Sequence, residues 1–277
     1  MLGKLIKYEF KACSRYFLPI YIAILAIFTL NGFTLQNFGN EDNNIFSVIM
    51  FVLLISIISI FIFLSLYVTV KRFANSIFGS EGYLTNTLPV KPTEIVFSKA
   101  FTMLLYSIIS VVVFIIASFL LILPNLSTFS MLRIENVFKE AVSTLAQSDF
   151  NITIFTIQMV VSGILSSLFS IFSLYLAVSV AHMKQCINHK YIYGFVTYFA
   201  FTIVTNGVFN LIFKIFTSKS DYVMSIGTYN LNGLQILNQS YHFINNILFI
   251  SDILTIIVFL ITALVVNYLI AEHLNVE

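Results

Sequence analysis

Of the 277 residues, 59% are apolar and only 9% are charged, far below the roughly 25% charged residues of ordinary soluble domains. A fold in water needs a polar exterior that this composition cannot supply, so lipid must be the solvent. The net charge of +2 says little as a total, and no nucleic-acid partner is expected. Ile and Phe are abundant and Trp is absent, which predicts an all-α integral membrane protein rather than an alternating membrane barrel.

Residues 2–17 predict an amphipathic helix. At about 100° per residue, Lys4, Lys7, Lys11 and Arg15 share one stripe, opposite Leu2, Leu5, Ile6, Phe10, Cys13, Tyr16 and Phe17. Such a helix is expected to lie in the headgroup plane with its cations toward anionic lipid. Glu9 projects from the apolar side. It either snorkels to the interface or pairs with a cation of the 71–99 segment, such as Lys71 or Arg72.

The first span is expected at 18–35, with Pro19 in its first turn, where proline is tolerated. The basic residues before it resemble a secretory leader, but no small-residue cleavage site follows and a retained span is expected. A short acidic loop with Glu41 and Asp42 leads to a second span at 45–70. Its 26 residues would extend about 39 Å against roughly 30 Å of hydrocarbon, so it tilts or emerges before Lys71-Arg72.

The polar interruption 71–99 contains EGYLTNTLPV and two of the four prolines. Ser80-Glu81 is suited to open a short helix, and Leu88-Pro89 to close it. Gly82-Tyr83-Leu84 sets an aromatic and an aliphatic side chain in a polar loop, as partner contacts do; otherwise the loop is a solvated connection that fixes topology. Pro92 then starts the helix leading to a third span at 100–123.

Residues 125–152 are polar, with a short surface helix expected around Ile134, Val137, Phe138, Ala141, Val142 and Leu145. A fourth span at 152–181 meets the basic turn 182–190, and a fifth follows at 191–216. Residues 217–246 read as an outer loop before a sixth span at 247–270. Ten of the fourteen Lys and Arg residues fall on the side of the amino terminus, the 71–99 segment and the 182–190 turn. Positive charge collects in cytoplasmic loops, so both termini are expected in the cytoplasm. Cys13 and Cys186 then lie on that reducing side and form no disulfide framework. Residues 1–277 are read as a single transmembrane permease domain.

No phosphate-binding GxxxxGK[ST], HExxH or GxSxG occurs. No catalytic residue and no metal site is expected. The charges near span ends, Lys214 and Asp252, are expected toward the outer face, where they either pair or stay hydrated. Ser162, Ser166, Ser170 and Ser173 form one seam; Tyr198, Thr202, Asn206, Asn210 and Lys214 form another. The serines suit close helix packing, whereas Asn206 and Asn210 call for a translocation path or a subunit interface.

On the amphipathic MLGKLIKYEFK, EGYLT-x-TLPV after the second span, and I-x-x-SK (Ile95, Ser98, Lys99) before the third, the chain resembles membrane subunits of type-2 ATP-binding-cassette exporters from Gram-positive bacteria. The layout matches along the whole chain; the motifs match in 1–17 and 72–99. The resemblance implies a cytoplasmic coupling helix at Glu81, Gly82, Tyr83, Leu84, Thr85, Thr87, Leu88 and Pro89 that docks in a separate ATPase. It implies an amino-terminal connecting helix beside it, with contacts through Glu9, Lys71 and Arg72. ATP and magnesium would sit in the ATPase, none in this chain, and a second permease, identical or not, would complete the exporter. The implied location is the bacterial plasma membrane. The implied cargo is hydrophobic or amphipathic, a peptide, toxin or drug, as in exporters of phenol-soluble modulins. A sensor or immunity subunit of such an assembly and an ion-coupled secondary transporter are the alternatives.

Overall fold

The structure, a computed structural model, describes residues 2–35, 44–79, 92–125, 139, 143, 151–183, 187–227 and 233–273. It is all-helical there: α1 (Leu2–Leu35), α2 (Asn44–Ile77), α3 (Pro92–Ile122), α4 (Ile152–Ala181), α5 (Lys190–Gly227) and α6 (Gly233–His273). Short 3-10 turns, Leu123–Asn125 and Ile187–His189, follow α3 and precede α5. Each of the six helices holds a stretch long and apolar enough to cross a membrane. Within hydrocarbon no water can satisfy the backbone, so helices keep their bonds internal. Hydroxyls follow suit: Thr29, Ser56, Ser59, Ser65 and Thr69 donate to carbonyls three or four residues back.

The helices fall into two units, Met1–Asn136 and Val137–Asn275. In the first, α1 packs mainly on α3 and next on α2, while α2 and α3 touch little. Ile20, Ile24 and Phe28 of α1 meet Ile57 and Ala117, with Phe61 and Phe114 edge to face at 5.2 Å beside them. Nearer the start of α1, the Tyr106 ring stacks between Phe10 (4.8 Å) and Phe17 (4.6 Å) and its hydroxyl donates to the Phe10 carbonyl at 2.8 Å. At the far end Gly32 lets α1 approach α3 closely: a Cβ there would stand 2.8 Å from the Leu121 carbonyl oxygen.

In the second unit α4 is the central helix, packed on α6 and α5. Asn151 caps it, accepting from the Ile154 amide. Phe172 and Phe259 meet edge to face at 5.0 Å, beside the fully buried Tyr175.

Several sequence boundaries need correction. α1 runs unbroken through Pro19, so residues 2–17 continue the first span as one helix of 34 residues, about 51 Å long. The proline ring removes one backbone donor but does not end a helix whose two sides are packed by α2 and α3. α2 continues to Ile77, which leaves Lys71 and Arg72 on a helix and not in a loop, while α3 begins at Pro92, as expected, and carries Ser98 and Lys99. The expected outer loop 217–246 is largely helical, because α5 reaches Gly227 and α6 starts at Gly233. Of the expected surface helix, Lys139 and Ser143 are helical and the rest lies outside the described residues.

Candidate functional site

Three helices converge where the first unit meets the ends of the 80–91 segment. α1 brings Glu9, α2 brings Arg72 in its last two turns, and α3 brings Lys99 two turns after Pro92. Glu9 Oε2 accepts from Arg72 at 2.9 Å, and its Oε1 accepts from the Lys99 ammonium. One carboxylate thereby ties all three helices. The Lys99 side chain is 3% exposed, against 15% for Glu9 and 21% for Arg72, so the lysine charge is the one that most needs its partner. Cys13, one turn further along α1, is buried with a free thiol.

The placement follows from the stripe on α3. Ile95, Val96, Lys99, Thr102, Met103 and Tyr106 are all buried and recur at three- and four-residue steps. A lysine on that stripe must bury its ammonium or find a carboxylate, and Glu9 is the acid on the apolar face of α1. Of the two readings for Glu9, the structure has the ion pair. Arg72 is the anticipated partner, but Lys71 is not: it donates to the Tyr67 hydroxyl at 2.8 Å. Lys99 was legible as a partner from its position in the stripe, a signal the linear motif Ile95-x-x-Ser98-Lys99 hides. Glu81, Gly82, Tyr83, Leu84, Thr85, Thr87, Leu88 and Pro89 lie outside the described residues.

In the second unit the serine seam divides. Ser162 Oγ donates across to Asp252 Oδ2 on α6 at 2.9 Å. Ser170 and Ser173 instead donate to carbonyls of their own helix, and Ser166 is exposed. Asp252 was expected near the outer face, five residues into its span. Because α6 starts at Gly233, Asp252 falls at the midpoint of a 41-residue helix. Its partner is Ser162, and Lys214 is exposed on α5. One turn before Ser162, Gln158 donates to the Asn245 backbone carbonyl at 3.1 Å. Asn206 and Asn210 are exposed on α5, with open space beside Gly207 between them. Among the described residues no group of three or more His, Cys, Asp or Glu could hold a metal ion.

The fold and these two polar constellations define a multi-pass, all-helical membrane protein. No family model, curated protein or solved structure matches the chain.

Proposed function

We propose that this chain is the membrane subunit of an ATP-driven exporter of the type-2 ATP-binding-cassette kind, driven through residues 81–89 by a separate ATPase. The observation that carries the reading is the Glu9 tie. It lies at the two helix ends that bracket EGYLTNTLPV, the segment on which the sequence resemblance rests. A force applied to that segment enters α2 and α3 together, and Glu9 passes it to α1. Coupling needs contacts that differ between motor states and a base that does not yield; a part-buried three-helix ion cluster supplies the second. In this reading 81–89 is cytoplasmic, the ATPase holds ATP and magnesium, and a second permease completes the assembly in the bacterial plasma membrane. Asn206 and Asn210, exposed on an apolar helix, suit a path or a subunit contact, because an amide facing lipid alone is costly. The cargo class is hydrophobic or amphipathic.

Purification from the native host with identification of bound proteins tests the assembly: a co-purifying ATPase is expected. Tyr83→Ala combined with Leu84→Ala should leave membrane insertion intact while separating ATP turnover from transport. Normal export by the double variant would refute docking through 81–89.

One observation favours a second reading, an ion-coupled secondary transporter: Asp252 sits mid-helix, where ionisable residues mark ion or substrate pathways. Uptake or release in vesicles driven by a proton or sodium gradient, without ATP, would select it over the exporter.

A further inference from the structure

The α4–α6 seam joins the Asp252 carboxyl group to the hydroxyl of Ser162 and, nearby, the amides of Gln158 and Asn245. Its setting is a window between two aromatic contacts, Phe155–Tyr241 at 6.2 Å and Phe172–Phe259 at 5.0 Å. Neither α4 over 156–170 nor α6 over 242–254 has a buried residue, whereas α4 is mostly buried from Ile171 to Ala181 and Thr255 is buried on α6 one turn beyond Asp252. The seam is thus sealed on the Phe172 side and loosely packed around Ser162.

Depth follows from length. Asp252 is the twelfth residue of the apolar stretch Tyr241–Ile270, and Ser162 the eleventh of Ile152–Ala181. Each stretch has 30 residues and spans about 45 Å, against roughly 30 Å of hydrocarbon. Centred in the bilayer, both side chains lie about 9 Å inside the hydrocarbon boundary, below the headgroups.

Within that layer Asp252 receives the Ser162 hydroxyl on Oδ2, while a carboxylate has about four lone-pair sites to fill. Two turns earlier on the same face of α6, Asn245 Oδ1 is buried with no hydrogen-bond partner. The Gln158 amide donates to the Asn245 backbone carbonyl and not to this oxygen. A carboxyl group with unfilled acceptor sites beside an unpaired amide oxygen, both in hydrocarbon, is complementary to a cation that carries N–H donors.

We propose that Asp252, with Ser162 and Asn245, receives the ammonium group of an amphipathic molecule entering the α4–α6 window from the bilayer. Asp252 neutralises the charge, Ser162 orients the carboxylate, and Asn245 accepts from the polar group beside it. The apolar tail of such a molecule remains against Phe155, Phe172 and the lipid. Only the source of that ammonium, a transported amphiphile, rests on the transport reading above.

The test reads binding alone, without ATP or transport. The purified full-length protein, with whatever subunits accompany it, is placed in phosphatidylcholine–phosphatidylglycerol nanodiscs. It is treated with dicyclohexylcarbodiimide, which modifies carboxyls accessible from hydrocarbon, and Asp252 modification is read by mass spectrometry. Dodecylammonium should protect Asp252 at about tenfold lower concentration than dodecyltrimethylammonium, which has the charge without N–H donors. Dodecanol should not protect. Asn245→Leu should keep Asp252 modifiable while weakening dodecylammonium protection several-fold. Equal protection by dodecyltrimethylammonium or dodecanol would overturn the site. Protection by sodium chloride alone would make it an inorganic-cation site instead, and full protection by phosphatidylethanolamine nanodiscs would assign the ammonium to lipid; either overturns the proposal. So would an Asp252 that fails to react at every pH at which the protein stays folded, because the reagent, which needs the carboxyl's proton, would then have no way in. A missing ATPase partner would refute the exporter and leave each of these outcomes standing.

Discussion

At the scale of single residues, the Glu9 cluster separates a favourable interaction from the cost of breaking it. A buried pair is weak evidence for net stability, yet removing one partner strands the other charge at about 3–5 kcal/mol. Glu9→Gln leaves the buried Lys99 ammonium facing an amide, so thermal unfolding in detergent should show a loss of about 3 kcal/mol. Lys99→Met removes the most buried charge and leaves Glu9 with Arg72, and should cost less than Glu9→Gln. Equal losses from the two variants would mean that the cluster acts through packing and not charge. Gly32 makes a different kind of demand. A Cβ there meets the Leu121 carbonyl oxygen at 2.8 Å and the Leu120 carbonyl oxygen at 3.1 Å, and backbone cannot step aside as a side chain can. Gly32→Ala should therefore destabilise the α1–α3 contact by about 1–3 kcal/mol, an overpacking cost, measurable in the same unfolding assay.

At the scale of elements, the six apolar runs are legible because hydropathy and length suffice to mark a span. Helix ends are not, since a charged residue such as Arg72 marks where hydrocarbon stops and not where backbone bonding stops. The same error misplaced a residue of each polar constellation, although Arg72 remained a candidate partner of Glu9. Ending α2 at Val70 put Arg72 in a loop, and starting α6 at Ile247 put Asp252 near the interface. Partners such as Glu9–Lys99 and Ser162–Asp252, separated by 90 residues, depend on which helices are neighbours, and no local pattern encodes that. The Glu9 alternatives were nonetheless visible, because an acid on an apolar stripe needs an explanation whatever surrounds it. The continuity of α1 is a checkable departure from the in-plane amphipathic helix. Spin labels at residues 4 and 33 should lie about 44 Å apart along one straight helix, and near 31 Å if the chain turns by a right angle at Pro19. Pro19→Ala should leave the longer distance unchanged, as the rod does not rely on a proline hinge.

At the scale of the whole molecule, the two units share a connectivity. In each, the first helix is central and packs more on the third than on the second. The contact pairs run in the same order along the packed helices: Glu9 with Lys99, then Phe28 with Phe114, then Gly32 with Leu121. In the second unit Gln158 meets Asn245 and Ser162 meets Asp252. First and third helices are therefore parallel within each unit, as they must be when every helix crosses once and the chain reverses each time. In the topology that the Lys and Arg bias predicts, residues 80–91 are expected on the cytoplasmic side and residues 36–43 and 228–232 on the other. In a background of Cys13→Ser and Cys186→Ser, a cysteine at position 83 should resist a membrane-impermeant maleimide applied to intact cells. Cysteines at positions 40 and 230 should react. Both outcomes have to hold together if crossings strictly alternate: labelling at 83 from outside would invert every helix at once and refute the proposed docking of an ATPase at residues 81–89. Labelling at only one of 40 and 230 would instead require a helix that does not cross, and would break the parallel pairing in one unit while leaving the Glu9 tie intact.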